Sequence, residues 1–114
     1  MGRDAHSASD LLPGTLDMLI LKTLSARGAL HGYGIAQHIQ QVSNDVLQVG
    51  EGSLYPALQR LLLNDWVVAE WGQSDNNRRA RFYKLTAAGR KQLFAEKSDY
   101  DRVIEAIGRV MRTA

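Results

Sequence analysis

The side chains of this sequence best placed to do chemistry are cations, and they are concentrated in one segment. Residues 78–91 contain six basic residues and no acidic one, whereas residues 1–77 contain four basic residues against eight acidic ones. Such a concentration of positive charge is typical of a surface that binds a polyanion. The alternative is a solvated strand and helix start that binds nothing. The six residues are Arg78, Arg79, Arg81, Lys84, Arg90 and Lys91.

The sequence lacks the side-chain sets that most enzymes and metalloproteins use. It contains no cysteine, which excludes a thiolate metal site, a cysteine nucleophile and a disulfide framework. His31 and His38 have no further ligand at metal-site spacing, so we expect neither a metal nor another cofactor. Ser53 has no motif that supplies a base, and there is no glycine-rich phosphate loop. We therefore expect a protein that is not an enzyme.

Length and composition indicate one small globular domain. With 114 residues, of which 45% are hydrophobic and 23% charged, the chain can form one compact core but not two. No apolar run approaches the roughly 20 residues that a membrane span needs, so no membrane partner is expected. Residues 1–11 lack a hydrophobic stretch and are expected to be a flexible tail, not a signal peptide. These features favour a cytoplasmic protein.

The spacing of apolar residues predicts two helices in the first part of the chain. The first covers about residues 16–26, with Thr15 as its N-cap and Gly28 in the left-handed conformation that stops it. The second covers about residues 33–42 and has one apolar face. A short strand is expected at residues 46–49.

A third helix and a hairpin follow. The helix is expected to open with Ser53 as its N-cap and to end at Asn64. Residues 66–71 and 79–85 are rich in β-forming residues and flank a polar turn, so they predict a hairpin. Tyr83 and Leu85 are expected to face inward, and Trp66 and Trp71 to lie in the core or at the rim of the hairpin.

A last helix is predicted from its cap residue Thr86 to about residue 112. From Tyr100 onward its apolar residues recur at steps of 4, 3 and 4, which is the spacing of a coiled-coil seam. The same helix of a second chain is the simplest cover for this seam, and folding back onto its own domain is the alternative. The predicted dimer interface consists of Leu93, Tyr100, Ile104, Ile107 and Met111.

This order of elements predicts a mainly α fold with a small β-hairpin wing. Residues 12–85 would form a winged helix-turn-helix domain, and residues 86–114 a C-terminal dimerisation helix. In this architecture the third helix enters the DNA major groove, while the hairpin tip contacts phosphates or the minor groove. The basic segment begins at that tip, with Arg78.

Three segments carry a family resemblance: residues 31–35 (HGYGI), 52–61 (GSLYPALQRL) and 78–89 (RRARFYKLTAAG). Together they resemble the PadR family of bacterial transcriptional regulators. Residues 12–17 and 76–80 are similar to an Acidobacterial-type branch, and the short C-terminal part to the compact subfamily with a single C-terminal helix. The resemblance implies a dimeric winged-helix DNA-binding protein, usually a repressor, that dimerises through its last helix.

Two positions depart from the family pattern without touching the expected DNA surface. Leu62 stands where a glutamate is common, and it would extend the buried stripe of the third helix. Asp65 stands where a glycine is common at the helix exit, and aspartate tolerates the left-handed conformation better than most residues.

The expected DNA contacts lie on the second and third helices and on the wing. Tyr55 contacts phosphate or sugar, or else packs at the core edge, and Tyr33 approaches the backbone or packs. Arg60 contacts phosphate or base, or else forms a surface ion pair of little energetic value. Ser53 caps its helix and can also bind a phosphate there. The full set is Tyr33, Ser53, Tyr55, Gln59, Arg60, Asn77, Arg78, Arg79 and Arg81.

We therefore expect a sequence-specific regulator, a repressor, that binds double-stranded DNA at a two-fold-symmetric operator as a homodimer. The alternative is a winged-helix protein-interaction module whose wing contacts an acidic protein, since fold alone does not decide function. Some relatives stack flat ligands on an aromatic residue of the dimer helices, so the resemblance also allows a small-molecule inducer of unknown identity. Tyr100 is the nearest candidate for that stacking role.

Overall fold

The computed structural model describes residues 13–114, which form four helices and a three-stranded antiparallel sheet. The strands lie in the order β1-β3-β2, so the short first strand pairs with the far strand of the hairpin. The predicted winged helix-turn-helix with a long C-terminal helix is confirmed, and the predicted tail at residues 1–11 lies outside the described residues. The elements are α1 (Pro13–Arg27), β1 (Leu30–His31), α2 (Gly32–Val42), α3 (Glu51–Leu63), β2 (Val67–Gln73), β3 (Arg79–Leu85) and α4 (Ala87–Met111).

Two helices include residues that were predicted to cap them. Thr15 already lies within α1, so it is not the N-cap. The N-cap of α3 is Gly50, whose carbonyl accepts hydrogen bonds from the backbone N–H groups of Ser53 and Leu54 at 3.1 and 2.9 Å. Ser53 is therefore in the first turn of α3, and the prediction that it caps the helix is wrong. The extended backbone of Gly50 sets the helix start without any side-chain cap.

The third strand of the sheet is not where the sequence predicted a strand. Residues 46–49 form no strand, although three of the four are valine or leucine. The strand is Leu30–His31, which pairs with Tyr83 and Phe82 of β3. A strand of two residues is too short to give a pattern that the sequence could reveal.

The core lies between α1, α2, α3 and the inner side of the sheet. Its most completely buried large side chains come from all four of these elements, and burying each contributes roughly 1.5–3 kcal/mol. Leu62 packs partly against this core, as expected for its departure from the family pattern. The fully buried side chains are Ile20, Leu21, Ile35, Leu58, Leu61 and Val67.

The junction between β3 and α4 fixes the C-terminal helix to the domain. The Thr86 hydroxyl accepts a hydrogen bond from the Gly89 N–H at 2.9 Å and donates one to the Asp65 carbonyl at 2.7 Å. Thr86 is thus the predicted N-cap of α4 and also a link to the end of α3. Tyr83 and Leu85 are buried beneath this junction, as predicted.

Two tight exits use the left-handed conformation. Gly28 has φ +82° directly after α1, which confirms its predicted role. Asp65 has φ 60° after α3, so the aspartate adopts the conformation for which relatives often use glycine.

Beyond its first turns α4 leaves the core. Leu93 is only 9% exposed and packs into the core of its own chain, where α1 lies against α4. Little of its side chain is therefore left for the predicted dimer interface. The other four predicted interface residues, Tyr100, Ile104, Ile107 and Met111, are 42–76% exposed. No helix among residues 13–114 has the length and hydropathy needed to traverse a bilayer.

Candidate nucleic-acid interface

The start of α2, the exposed side of α3 and the wing (β2, β3 and the turn between them) surround an open cleft of about 930 Å³. Residues that are far apart in the sequence share this surface. Aromatic hydroxyls come from the helices and guanidinium groups from the wing. Five of the predicted DNA contacts line it: Tyr33, Tyr55, Arg78, Arg79 and Arg81.

The pleat of β3 directs the wing arginines toward the cleft. Side chains alternate between the two faces of a strand, and Tyr83 points into the core. Arg81 and Arg79 lie two and four residues earlier on the same face, beyond the edge of the core. Within residues 13–114 no carboxylate oxygen lies within 4.0 Å of either guanidinium or of Arg78. Their charge is therefore available to attract an anion.

Trp71 supports one of these arginines. The Cζ atom of Arg79 lies 4.4 Å from the centroid of the Trp71 ring, a cation–π contact. Trp71 is 59% exposed and pairs directly across the hairpin with Arg81. The sequence predicted only a core or rim role for Trp71. The predicted rim position is correct. The contact with Arg79 depends on how β2 and β3 pair, and this register could not be predicted from the sequence.

The wing turn is held by Asn77 and Ser74. Asn77 adopts the left-handed conformation with φ 63°, and its N–H donates to the Ser74 carbonyl at 2.9 Å. The Ser74 N–H in turn donates to the Arg78 carbonyl at 2.8 Å. Asparagine suits this position because its side chain tolerates positive φ. Asn77 therefore forms the tip beside the cleft and orients Arg78.

Tyr55 projects from α3 with its ring against the start of α2. A Cβ at Gly32 would lie 2.8 Å from the Tyr55 hydroxyl oxygen, so the Tyr55 ring would have to shift if residue 32 were larger than glycine. Burial, followed by the Glu51 carboxylate and then Tyr83, raises the pKa of the Tyr55 hydroxyl above 10.0. The hydroxyl is therefore protonated at neutral pH and can donate a hydrogen bond to a phosphate. Gln59 lies one turn further along the same exposed side of α3.

The start of α2 is set by a histidine cap that sequence reasoning missed. His31 Nδ1 accepts a hydrogen bond from the Gly34 N–H at 3.0 Å. The His31 ring lies edge-on to Phe82, with ring centroids 5.2 Å apart. These contacts join β1 and α2 to β3 and so hold Tyr33 at the cleft. Standard cap preferences favour serine, threonine, asparagine and aspartate, so they gave no signal here.

Four predicted contacts do not line the cleft: Ser53, Gln59, Arg60 and Asn77, the last of which lies at the wing tip beside it. Ser53 is half-buried in the first turn of α3, and Gln59 is exposed beyond the cleft. Arg60 is engaged elsewhere: its Nη2 atom donates to Asp17 Oδ1 of α1 at 2.8 Å. The ion pair that the sequence left open as an alternative for Arg60 is therefore present.

Comparison with known proteins decides the family. The sequence model described as "Transcriptional regulator PadR-like family" matches residues 20–95. The chain belongs to the PadR-like family. The predicted resemblance is thus confirmed at the level of the family.

Two solved structures of a similar fold, both described as transcription factors or regulators, agree with this assignment. A PadR-like transcription factor from Bacteroides fragilis is 28% identical, with 86% of this chain and 91% of that chain aligned and a TM-score of 0.68. A transcriptional regulator from Clostridium thermocellum is 25% identical over 84% of this chain and 92% of that chain, with a TM-score of 0.76. A 37.1 kDa protein in a transposon of Streptomyces fradiae is 40% identical over 97 residues, which are 85% of this chain and 25% of that protein.

PadR-like membership narrows the function. The family consists of transcriptional regulators, generally not enzymes, and its winged helix implies regulation through DNA binding. The alternative of a protein-interaction module is not favoured. The cationic cleft and the exposed side of α3 are the surface of this PadR-like chain that suits a nucleic acid.

Proposed function

We propose that this PadR-like protein is a repressor that binds a two-fold-symmetric operator as a homodimer. The observation that carries the proposal is the cleft that Tyr55 shares with Arg78, Arg79 and Arg81 of the wing, which have no carboxylate partner among residues 13–114. In a winged helix-turn-helix, a helix in this position enters the major groove and a basic wing follows the phosphates or the minor groove. We also assign the chain to the compact Acidobacterial-type branch, on the similarity of residues 12–17 and 76–80.

The proposed contacts are of two kinds: contacts to the DNA backbone, which position the protein, and contacts to base edges, which recognise the sequence. The wing arginines neutralise phosphates and give affinity without sequence preference. Tyr55 donates its hydroxyl to a phosphate or sugar, and Tyr33, Ser53 and Asn77 contact the backbone. Gln59, on the exposed side of α3, is the side chain suited to a base edge, because its amide both donates and accepts.

The proposed homodimer forms through the exposed apolar side of α4. Tyr100, Ile104 and Ile107 lie within about 60° of one another around the helix and are all close to half-exposed. A second copy of α4 covers this side and presents two α3 helices to two half-sites. Sedimentation velocity at micromolar concentration should give twice the chain mass of 12.7 kDa. A monomer under those conditions would contradict the homodimer.

DNA binding is tested by its salt dependence. Operator fragments selected from genomic DNA should bind tightly, and the double variant Arg78→Ala with Arg79→Ala should weaken all sequences alike. The slope of log K against log salt should fall by about 0.9 for each lost phosphate contact, or about 1.8 per protomer. By contrast, Gln59→Ala should change the preference between sequences.

The matched control removes the same charge elsewhere. Arg102 and Arg109 lie on the exposed surface of α4 and pair with Asp99 and Glu105. The double variant Arg102→Ala with Arg109→Ala should therefore leave the salt slope unchanged. Recovery of no specific site, together with salt-insensitive association, would overturn the proposed DNA binding. Capture of an acidic protein in place of DNA would support the interaction module.

Repression follows from occupancy of a promoter, because a bound dimer excludes the polymerase sterically. In vitro transcription from a template whose promoter overlaps the selected operator should decrease as the protein is added. A rise in transcript would identify an activator and contradict this part of the proposal.

A further inference from the structure

We infer that Arg60 is a positioning residue that holds α3 against α1 through Asp17, and that it does not contact DNA itself. The inference rests on the proposed function, since it concerns the angle at which α3 presents Tyr55 and Gln59 to DNA. It differs from the sequence prediction, which placed Arg60 among the direct DNA contacts.

The geometry of the pair is that of a two-point contact. Arg60 Nη2 donates to Asp17 Oδ1 at 2.8 Å, and Arg60 Nε lies 3.4 Å from Asp17 Oδ2. Two bonds from one planar guanidinium to one carboxylate fix its orientation as a single bond does not. The hydrogen bond to Asp17 raises the pKa of Arg60, so this contact favours the charged guanidinium.

Arg60 projects from the flank of α3, away from the side that carries Tyr55. At 100° per residue, Gln59 lies about 40° around the helix from Tyr55, whereas Arg60 lies about 140° from it. This direction brings the guanidinium to α1 and not to the cleft. Arg60 accordingly does not line the cleft that Tyr55 shares with the wing.

Breaking the Arg60–Asp17 ion pair would cost free energy, so we expect the pair to persist when the protein binds DNA. The Asp17 side chain is only 13% exposed, against 44% for Arg60. If Arg60 turned to a phosphate, it would leave a shielded carboxylate without its cation, which is destabilising. The net gain from such a phosphate contact would be correspondingly small.

The pair connects the reading helix to the rest of the molecule. α1 supplies Ile20 and Leu21 to the core and also packs against α4. Asp17 therefore lies on the element that α3 and the C-terminal helix share. A small rotation of α3 relative to α1 would move Tyr55 and Gln59 away from their positions at the groove.

The decisive experiment uses Asp17→Asn. Removing an acidic residue ordinarily strengthens DNA binding, and freeing Arg60 would strengthen it further if Arg60 bound phosphate. A positioning role predicts the opposite, namely that Asp17→Asn and Arg60→Gln each weaken operator binding about tenfold. Neither variant should change the slope of log K against log salt. Stronger binding by Asp17→Asn, with a steeper salt dependence, would overturn the inference.

A charge swap provides the complementary test. The double variant Asp17→Arg with Arg60→Asp should recover operator affinity to within about threefold of the native chain, whereas Arg60→Asp alone should not bind well. A swap as weak as Arg60→Asp would overturn the inference, because a lost phosphate contact cannot be restored from α1. Thermal unfolding of each variant confirms that it is folded under the binding conditions.

The control pair is Glu105 and Arg109, whose side chains lie 3.3 Å apart on the side of α4 away from Tyr100. Glu105→Gln and Arg109→Gln should each leave operator affinity within about twofold of native. If the native chain binds no specific operator, the proposed function fails and this inference fails with it. If the native chain binds but Asp17→Asn binds more tightly, the inference alone fails.

Discussion

Single residues decide how closely the elements of this protein approach one another. Gly32 leaves room for the ring of Tyr55, and Gly89 leaves room for the backbone of Trp66. A Cβ at Gly89 would lie 2.0 Å from the Trp66 carbonyl oxygen, which is shorter than any real contact. Gly89, which belongs to a motif that resembles the PadR family, therefore lets the start of α4 pack directly against the backbone at Trp66.

Gly89→Ala should destabilise the fold, because backbone must move to admit the new methyl group. We expect a loss of about 1–3 kcal/mol in the free energy of unfolding, the usual cost of overpacking a tight site. Urea denaturation measures it. Gly108→Ala is the control, since its Cβ would meet only the flexible end of Arg112 at 3.1 Å. Equal stabilities of the two variants would contradict the explanation.

Because of Tyr55, we expect the free energy of unfolding to decrease at alkaline pH. Burial raises the pKa of its hydroxyl above 10.0, so the folded chain holds this proton more tightly than the unfolded chain does. The associated stability is complete below about pH 10 and is lost as pH rises through the folded pKa. Tyr55→Phe should therefore lose less stability than the native chain between about pH 9 and 11. Parallel urea-denaturation curves across this range would contradict the prediction.

At the scale of elements, a two-residue strand connects the reading surface to the wing. β1 pairs with β3, and α2 begins at the very next residue, Gly32. The cap residue His31 belongs to both elements: its backbone is in the sheet and its ring nitrogen closes the first turn of α2. The position of Tyr33 is thus coupled to the wing.

Replacing the cap residue tests this coupling. His31→Ala should lower the free energy of unfolding by about 1 kcal/mol more than His31→Asn, because asparagine restores an acceptor for the Gly34 N–H. Both variants lose the ring contact with Phe82, so their difference isolates the cap. Thermal denaturation measures it, and indistinguishable stabilities would show that the hydrogen bond contributes nothing.

The wing depends on Trp71 to hold an arginine in place. An exposed cation–π contact contributes about 0.5–1 kcal/mol, so Trp71→Ala should weaken operator binding about two- to fivefold. Trp71→Phe should retain most of the affinity because it keeps an aromatic face for Arg79. Fluorescence anisotropy with labelled operator distinguishes the two. Equal losses in both variants would exclude an aromatic role.

At the scale of the whole molecule, one apolar stripe of α4 serves two purposes. Its beginning, at Leu93, is buried against the same chain. Its continuation through Ile104 and Ile107 is half-exposed, beyond the reach of the small core. An elongated molecule of 56 × 36 × 21 Å results, with the α4 surface left for a second copy under the proposed function.

Ile104→Asp should dissociate the proposed dimer, because a carboxylate cannot be buried there without a partner. The mass in sedimentation velocity should fall to that of the 12.7 kDa chain. Operator affinity should fall as well, since two half-sites are no longer bound by one particle. Ser98→Asp adds the same charge about 160° around α4 from Tyr100 and should leave the mass unchanged. Dissociation by both variants would implicate a different interface.

The sequence by itself determined the four helices and the hairpin, the concentration of cations from the wing into the start of α4, and the family. These follow from local signals: apolar spacing predicted α2 and α4, and turn residues predicted the hairpin. The same signals failed for the third strand, because no local feature shows which segment has a strand beside it to pair with. Residues 46–49 resemble a strand, but no strand among residues 13–114 pairs with them, whereas Leu30–His31 is a strand because β3 lies alongside.

Only the tertiary structure decided which side chains have partners. Arg60 is paired with Asp17, 43 residues away, while the wing arginines have no carboxylate within reach among residues 13–114. Leu93 belongs to its own core, although it continues the stripe of Ile104 and Ile107. The physical reason is that apolar spacing and turn preferences report on neighbours along the chain. Ion pairs, ring contacts and burial depend on which elements pack together in three dimensions.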